Sequence, residues 1–190
     1  MASRGSGDAT RRSVLDAAAE IVATDGAAKL TLDAVAERVG LSKGGLLHHF
    51  ATKDSLISAM IEDVIAQFEA DLGRHMQGEN GPGSFARAFL RACLDPDGAL
   101  TRTLKVSAGI LAAVAINSQL LAPLRRRYDE WRQRLEDDGI DPAIAELVRS
   151  AADGLWLAGV LELGVVSASV RKRVFAKLIE LTQPGVLTGV

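Results

Sequence analysis

The chain has 190 residues, of which 48% are hydrophobic and only 4% aromatic, and its net charge is −2. That length permits one large or two small domains with ample core, and the charge balance excludes a generally basic nucleic-acid binder. A single cysteine, Cys93, excludes an intramolecular disulfide and fits a reducing cytoplasm. The opening MASRGSGDATRR has no apolar segment of the secretory kind. The longest near-continuous apolar run, Ala108 to Ile116, is far short of the roughly 20 residues that span a bilayer. The expectation is a cytoplasmic protein with no membrane partner.

Val14, Ala18, Ile21 and Val22 share one face of a first helix, predicted over Arg11–Thr24 and closed by Asp25-Gly26. Arg4, Arg11 and Arg12 gather before or at its start, either as an arm toward a polyanion or as a solubilising tail. Thr31 is placed to N-cap a second helix with Leu32, Val35, Ala36 and Val39 inward, and Gly40 to end it in the left-handed conformation. Leu41 fills the corner and Ser42 caps a third helix, Lys43–Phe50, too short to be stable unless packed. This is the helix-turn-helix pattern, whose second helix enters the DNA major groove.

At 100° per residue, Leu46 and Phe50 fall on the docking face with His49 beside them, and Lys43, Gly44, Leu47 and His48 on the other. Two early glycines cost a helix roughly 1 kcal/mol each; they either let backbone approach phosphates or base edges, or simply ease the turn. Residues 1–56 hold seven Lys/Arg and seven Asp/Glu, so binding must depend on a few placed contacts. His48 and His49 are adjacent, point about 100° apart and have no Cys near, so no metal is expected there.

Ala36, Glu37, Gly40, Leu41 and Ser42, then Gly44, Leu46, His49 and Phe50, then Lys53 and Leu56, match in order and spacing the N-terminal domain of the tetracycline-repressor (TetR) family. The resemblance covers roughly the first 60 residues. It implies a dimeric, ligand-responsive regulator of transcription, by prior a repressor, with Thr31, Ser42, Lys43, Gly44, Gly45, Leu47, His48 and Lys53 at double-stranded DNA. Thr31 and Lys53, at helix starts, suit phosphates, whereas Lys43, Gly45, Leu47 and His48 suit base edges. Leu47 stands where the family has a phosphate-binding Tyr: either His48 replaces that contact or Leu47 packs on a thymine methyl.

Beyond the motif, Leu56, Met60, Val64, Phe68, Leu72 and Met76 form an i+4 ladder on a long helix predicted from about Lys53 to Gln77. GENGPGS at 78–84 is a linker, and Ser84 is expected to cap a helix to Leu94, broken by Asp95-Pro96-Asp97-Gly98. Helices over Ala99–Ile116 and Leu120–Asp137 follow, then one from Pro142 to Val166 opened by Asp141 as cap, and a last one over Val170–Leu181. The fold class is all-α with about nine helices: a helix-turn-helix domain at 1–55 joined by the long helix to an effector-binding and dimerisation domain at 56–190.

Gly154–Val166 is apolar almost all round apart from Glu162, so its outer face is expected to meet a second copy or to be the centre of the monomer. The dimer reading names Leu155, Trp156, Gly159, Leu163, Val174 and Leu178, half of a four-helix interface as the resemblance implies. Val64, Phe68, Phe89, Leu104, Leu111 and Trp131 could line a pocket for an unknown small hydrophobic effector, or be plain core. Asp153 or Glu162 is expected to pair with an arginine across the interface in preference to a cationic ligand, and Cys93, among apolar neighbours, to be buried. No catalytic constellation, phosphate loop or metal motif is present, so neither enzyme activity nor a cofactor is expected. The competing reading is a helical adaptor that kept the helix-turn-helix fold without DNA binding.

Overall fold

A computed structural model describes residues 3–94, 98–164 and 166–183. Among these it contains ten α-helices and no strand: α1 Ser3–Asp25, α2 Leu32–Val39, α3 Lys43–His49, α4 Lys53–Met76, α5 Ser84–Leu94, α6 Ala99–Arg102, α7 Leu104–Ile116, α8 Ala122–Glu136, α9 Pro142–Val160 and α10 Ala168–Leu181. Short 3-10 turns occupy Ala27–Lys29 and Ser118–Leu121. The all-α expectation is met. No helix among the described residues is long and apolar enough to cross a membrane. The Asp95-Pro96-Asp97 break and Val165 lie outside the described residues.

The chain forms two compact units, Met1–Asp63 with Lys105–Leu124, and Val64–Leu104 with Arg125–Val190. This differs from a boundary at residue 55, because α7 returns to the N-terminal helices. The reason is steric. A Cβ built on Gly109 would lie 2.2 Å from Val22 Cγ1, so only a glycine lets α7 pack this closely on α1. The helix expected over 99–116 is also divided at Thr103, whose hydroxyl is directed at the Leu100 carbonyl, 3.4 Å away.

In the first unit Val14, Ala18, Val35, Leu46 and Leu56 have no appreciable exposure and form the core. α1 starts eight residues before the predicted Arg11, which places Arg11 and Arg12 inside a helix rather than on an arm. The Arg11 guanidinium lies 4.6 Å over the Phe50 ring, a cation–π contact. Arg12 pairs with Asp16 at 2.7 Å and also with Asp63.

The second unit is built around α5, whose residues Phe85–Leu94 are buried except Arg91. α5 packs on α9 and α10. Its N-terminus is capped by Asp138, which accepts the Phe85 and Ala86 N–H groups at 2.9 and 2.7 Å; Ser84, expected as the cap, is the first helical residue instead. A carboxylate there meets unpaired donors and the positive end of the helix dipole. The buried Arg87 donates to Glu79 at 2.7 Å and to the carbonyls of Asn80, Pro82 and Thr182, tying α5 to the end of α10.

The helix expected to reach Val166 stops at Val160. Glu162 takes a left-handed φ of 52°, and the Leu163 N–H returns to the Ala158 carbonyl at 2.9 Å, which completes a C-terminal cap. The helix enclosed on all sides is therefore α5, and the end of α9 is left with an open apolar face.

Candidate nucleic-acid interface

Local capping shapes the motif. The Thr31 hydroxyl accepts the Ala34 N–H at 3.1 Å and starts α2; Gly40, at φ 70°, ends it, with the Leu41 N–H returning to the Ala36 carbonyl at 2.9 Å. Ser42 then accepts the Gly45 N–H at 3.1 Å and starts α3. α2 packs on α1 and α3 on α2. Leu46 and Phe50 are buried, as their spacing predicts.

The opposite face of α3 is open. Ser42, Lys43, Gly44, Leu47 and His48 are exposed, and Gly45 is half-buried. Leu47 leaves 38% of its surface uncovered. His48 stands edge-on to His49, ring centroids 5.8 Å apart. The two glycines play different parts. A Cβ on Gly44 would meet nothing within 4 Å, so the fold does not require glycine there. One on Gly45 would sit 3.3 Å from Ser42 Oγ, crowding the cap.

Thr31 and Lys53 are exposed at the starts of α2 and α4. α4 opens on a reciprocal cap that the sequence reading missed. The Thr52 N–H donates to Ser55 Oγ at 3.1 Å, and the Ser55 N–H to Thr52 Oγ1 at 3.0 Å. The spacing is that of a capping box, with Ser55 where Glu or Gln is usual. Also missed was Asp33, whose carboxylate lies 3.0 Å from Lys43 Nζ. These residues form a helix-turn-helix head: a short helix held by its neighbours with its polar side and backbone open.

The effector residues named from sequence are distributed as follows. Phe68, Phe89 and Trp131 are brought together in the second unit, ring centroids 4.9–6.2 Å apart and mostly edge to face. Val64, Leu104 and Leu111 are half-buried, Leu104 against Gly159. None of the six lines the cavity of about 400 Å³ in the first unit, between α1, the turn at Ala27–Lys29, the start of α4 and α7.

Beside the aromatic cluster is a polar group. Tyr128 donates its hydroxyl to Asp153, and Arg149 donates to the other Asp153 oxygen at 2.7 Å. Within the chain Asp153 is thus held by Tyr128 and by Arg149, one turn away on its own helix. Burial raises the Asp153 carboxyl above its ordinary value, against the Tyr128 hydrogen bond and Arg149. Burial, and then the Asp153 charge, push the Cys93 thiol well up, which makes it an unreactive buried group.

Of the dimer residues, Leu155, Trp156, Gly159 and Val174 are half-buried and Leu163 is 62% exposed. Leu178 is buried within its own chain, so it packs α10 rather than facing outward. Leu157, Leu161 and Val166, within the apolar Gly154–Val166 stretch, and Leu147 outside it, add to the exposed apolar set around α9.

Residues 14–60 match the profile of bacterial regulatory proteins of the tetR family, and residues 83–183 that of the tetracyclin repressor-like C-terminal domain. The chain belongs to the tetR family and is a DNA-binding transcriptional regulator. It is 27% identical over 161 residues to the HTH-type transcriptional regulator BetI 1 of Chromohalobacter salexigens, covering 80% of this chain and 79% of that protein. Its fold is similar to that of a transcriptional regulator from Rhodococcus sp. Rha1, with TM-score 0.73, 24% identity and coverage of 90% and 95% of the two chains. It is also similar to the multidrug binding protein EbrR in complex with ethidium, with TM-score 0.64, 21% identity and coverage of 89% and 97%.

Proposed function

We propose that the chain acts in the cytoplasm as a homodimeric, effector-responsive repressor that binds a palindromic operator, with α3 of each protomer in the major groove. The observation that carries this is the two-sidedness of α3: Leu46 and Phe50 buried, and Lys43, Gly44, Leu47 and His48 open on the other side. Lys43 and His48 reach base edges, Leu47 offers an apolar contact to a thymine methyl, and Gly44 admits close backbone approach. Thr31, Ser42 and Lys53 hold phosphates through hydroxyls, helix-start N–H groups and an ammonium, and Gly45, its N–H taken by Ser42, stands with the residues at base edges.

The unpaired apolar residues of α9 and the segment after it, Leu157, Leu161, Leu163 and Val166, support a second copy as their cover. A twofold axis would set two recognition helices about one DNA turn, roughly 34 Å, apart. An effector in the helical C-terminal region, beside Phe68, Phe89 and Trp131, fits the family, and EbrR, which shares the fold, is a multidrug binding protein complexed with ethidium. Selection of bound sequences from random DNA tests this. A palindrome with half-sites one turn apart is expected; recovery of no sequence would return the chain to the adaptor reading.

A further inference from the structure

The cavity in the first unit is a place where a ligand would touch the DNA-binding head directly. At about 400 Å³ it falls within the roughly 300–1,000 Å³ of small-molecule sites. Its walls are apolar, with Val22, Leu30, Met60 and Ile110 among them. Lys53, Asp54, Ile116 and Asn117 also line it. Ile116 is 91% exposed, far more than any other large hydrophobic residue among those described, so apolar surface lies uncovered at the cavity.

The two charged residues at the cavity, Lys53 and Asp54, are engaged differently. The Asn117 amide donates to the Asp54 carboxylate at 2.9 Å, which holds that side chain in place. Lys53 pairs with no acidic side chain among the described residues. It is also the first residue of the 24-residue helix α4, whose N-terminal end carries positive dipole charge. The cation left open to a ligand beside the apolar walls is therefore the Lys53 ammonium.

We propose that this cavity binds a small amphipathic anion, its hydrocarbon between α1 and α7 and its carboxylate on the Lys53 ammonium. The consequence for DNA rests on the function proposed above. Lys53 is assigned there to a DNA phosphate, so ligand and operator compete for one cation, and the ligand acts at the head itself.

The test is calorimetric titration of the full chain with decanoate in the absence of DNA. A single decanoate per chain is expected. Ala113→Phe and Ala28→Trp, which fill the cavity from α7 and from the turn at Ala27–Lys29, should each weaken it by roughly tenfold or more. Lys53→Gln should weaken decanoate but not decanol. Nuclear Overhauser contacts from decanoate to the Ile110 and Met60 methyls in the unaltered protein provide a readout that needs no variant. No binding, binding indifferent to both fillers, or no such contacts would overturn the site. The operator titration is separate: decanoate that occupies the cavity without weakening DNA would remove Lys53 from the phosphate contacts and leave the site standing.

Discussion

The Lys43 ammonium lies 3.0 Å from the Asp33 carboxylate, on the face that α3 offers to DNA. Both side chains are largely exposed, so the pair contributes only about 0–1 kcal/mol to the fold. Its cost falls on binding, since a phosphate or guanine must draw Lys43 away from an acid. Asp33→Asn should tighten operator binding by roughly two- to fivefold at low salt. Lys43→Ala should weaken specific binding by about 1–3 kcal/mol with little change in melting. Fluorescence anisotropy across a salt series checks both; a melting loss matching the affinity loss would make Lys43 a scaffold residue.

Gly44→Ala separates folding from recognition. Nothing lies within 4 Å of the added methyl, so the substitution should stabilise α3 by up to about 1 kcal/mol. The same methyl would stand between the helix and a duplex. Higher melting temperature with weaker DNA binding is the expected pair of results, measured on one preparation.

Gly109→Ala should destabilise the first unit, because its Cβ would lie 2.2 Å from Val22 Cγ1 against a buried neighbour. Overpacking of this kind costs about 1–3 kcal/mol. Adding Val22→Ala should recover part of that loss, and a double-mutant cycle from denaturant titrations reads the coupling.

Glu79 sets an acid limit. Burial raises its carboxyl, but the hydrogen bonds from Arg91 and Arg87 prevail and hold it below the ordinary 4.5. A carboxyl lowered in the folded state stabilises the fold fully above its unfolded value, and that stability is lost as pH falls through the folded value. Urea titrations from pH 7 downward should show the loss beginning near pH 4.5 in the native chain. Glu79→Gln should be less stable at pH 7, by about 1–3 kcal/mol, and less sensitive to acid over the same window.

Leu163→Glu addresses the dimer without disturbing the protomer, since 62% of Leu163 is already uncovered. Sedimentation should show monomers with unchanged helical content, and operator affinity should fall with loss of the second head. A dimer of undiminished affinity would exclude this face as the interface. Trp156→Arg, at a half-buried position whose ring N–H has no acceptor among the described residues, should act in the same direction.

What the sequence determined by itself is what neighbours along the chain decide. Thr31, Gly40 and Ser42 act over three or four residues, and the spacing of Leu46 and Phe50 needs only the helical repeat; these settle the head and the side of α3 that faces out. The tertiary structure alone decided matters that join distant residues. Asp138 caps α5 from 52 residues away and Arg87 reaches Thr182 across 95, so no local pattern shows that α5, rather than the more apolar end of α9, is enclosed. The place of Gly109 against Val22 likewise exists only once α7 has returned to α1, and that meeting adds α7 to the wall of the cavity beside Lys53. Capping and periodicity are short-ranged, whereas close packing and buried charge depend on partners the chain brings together only when folded.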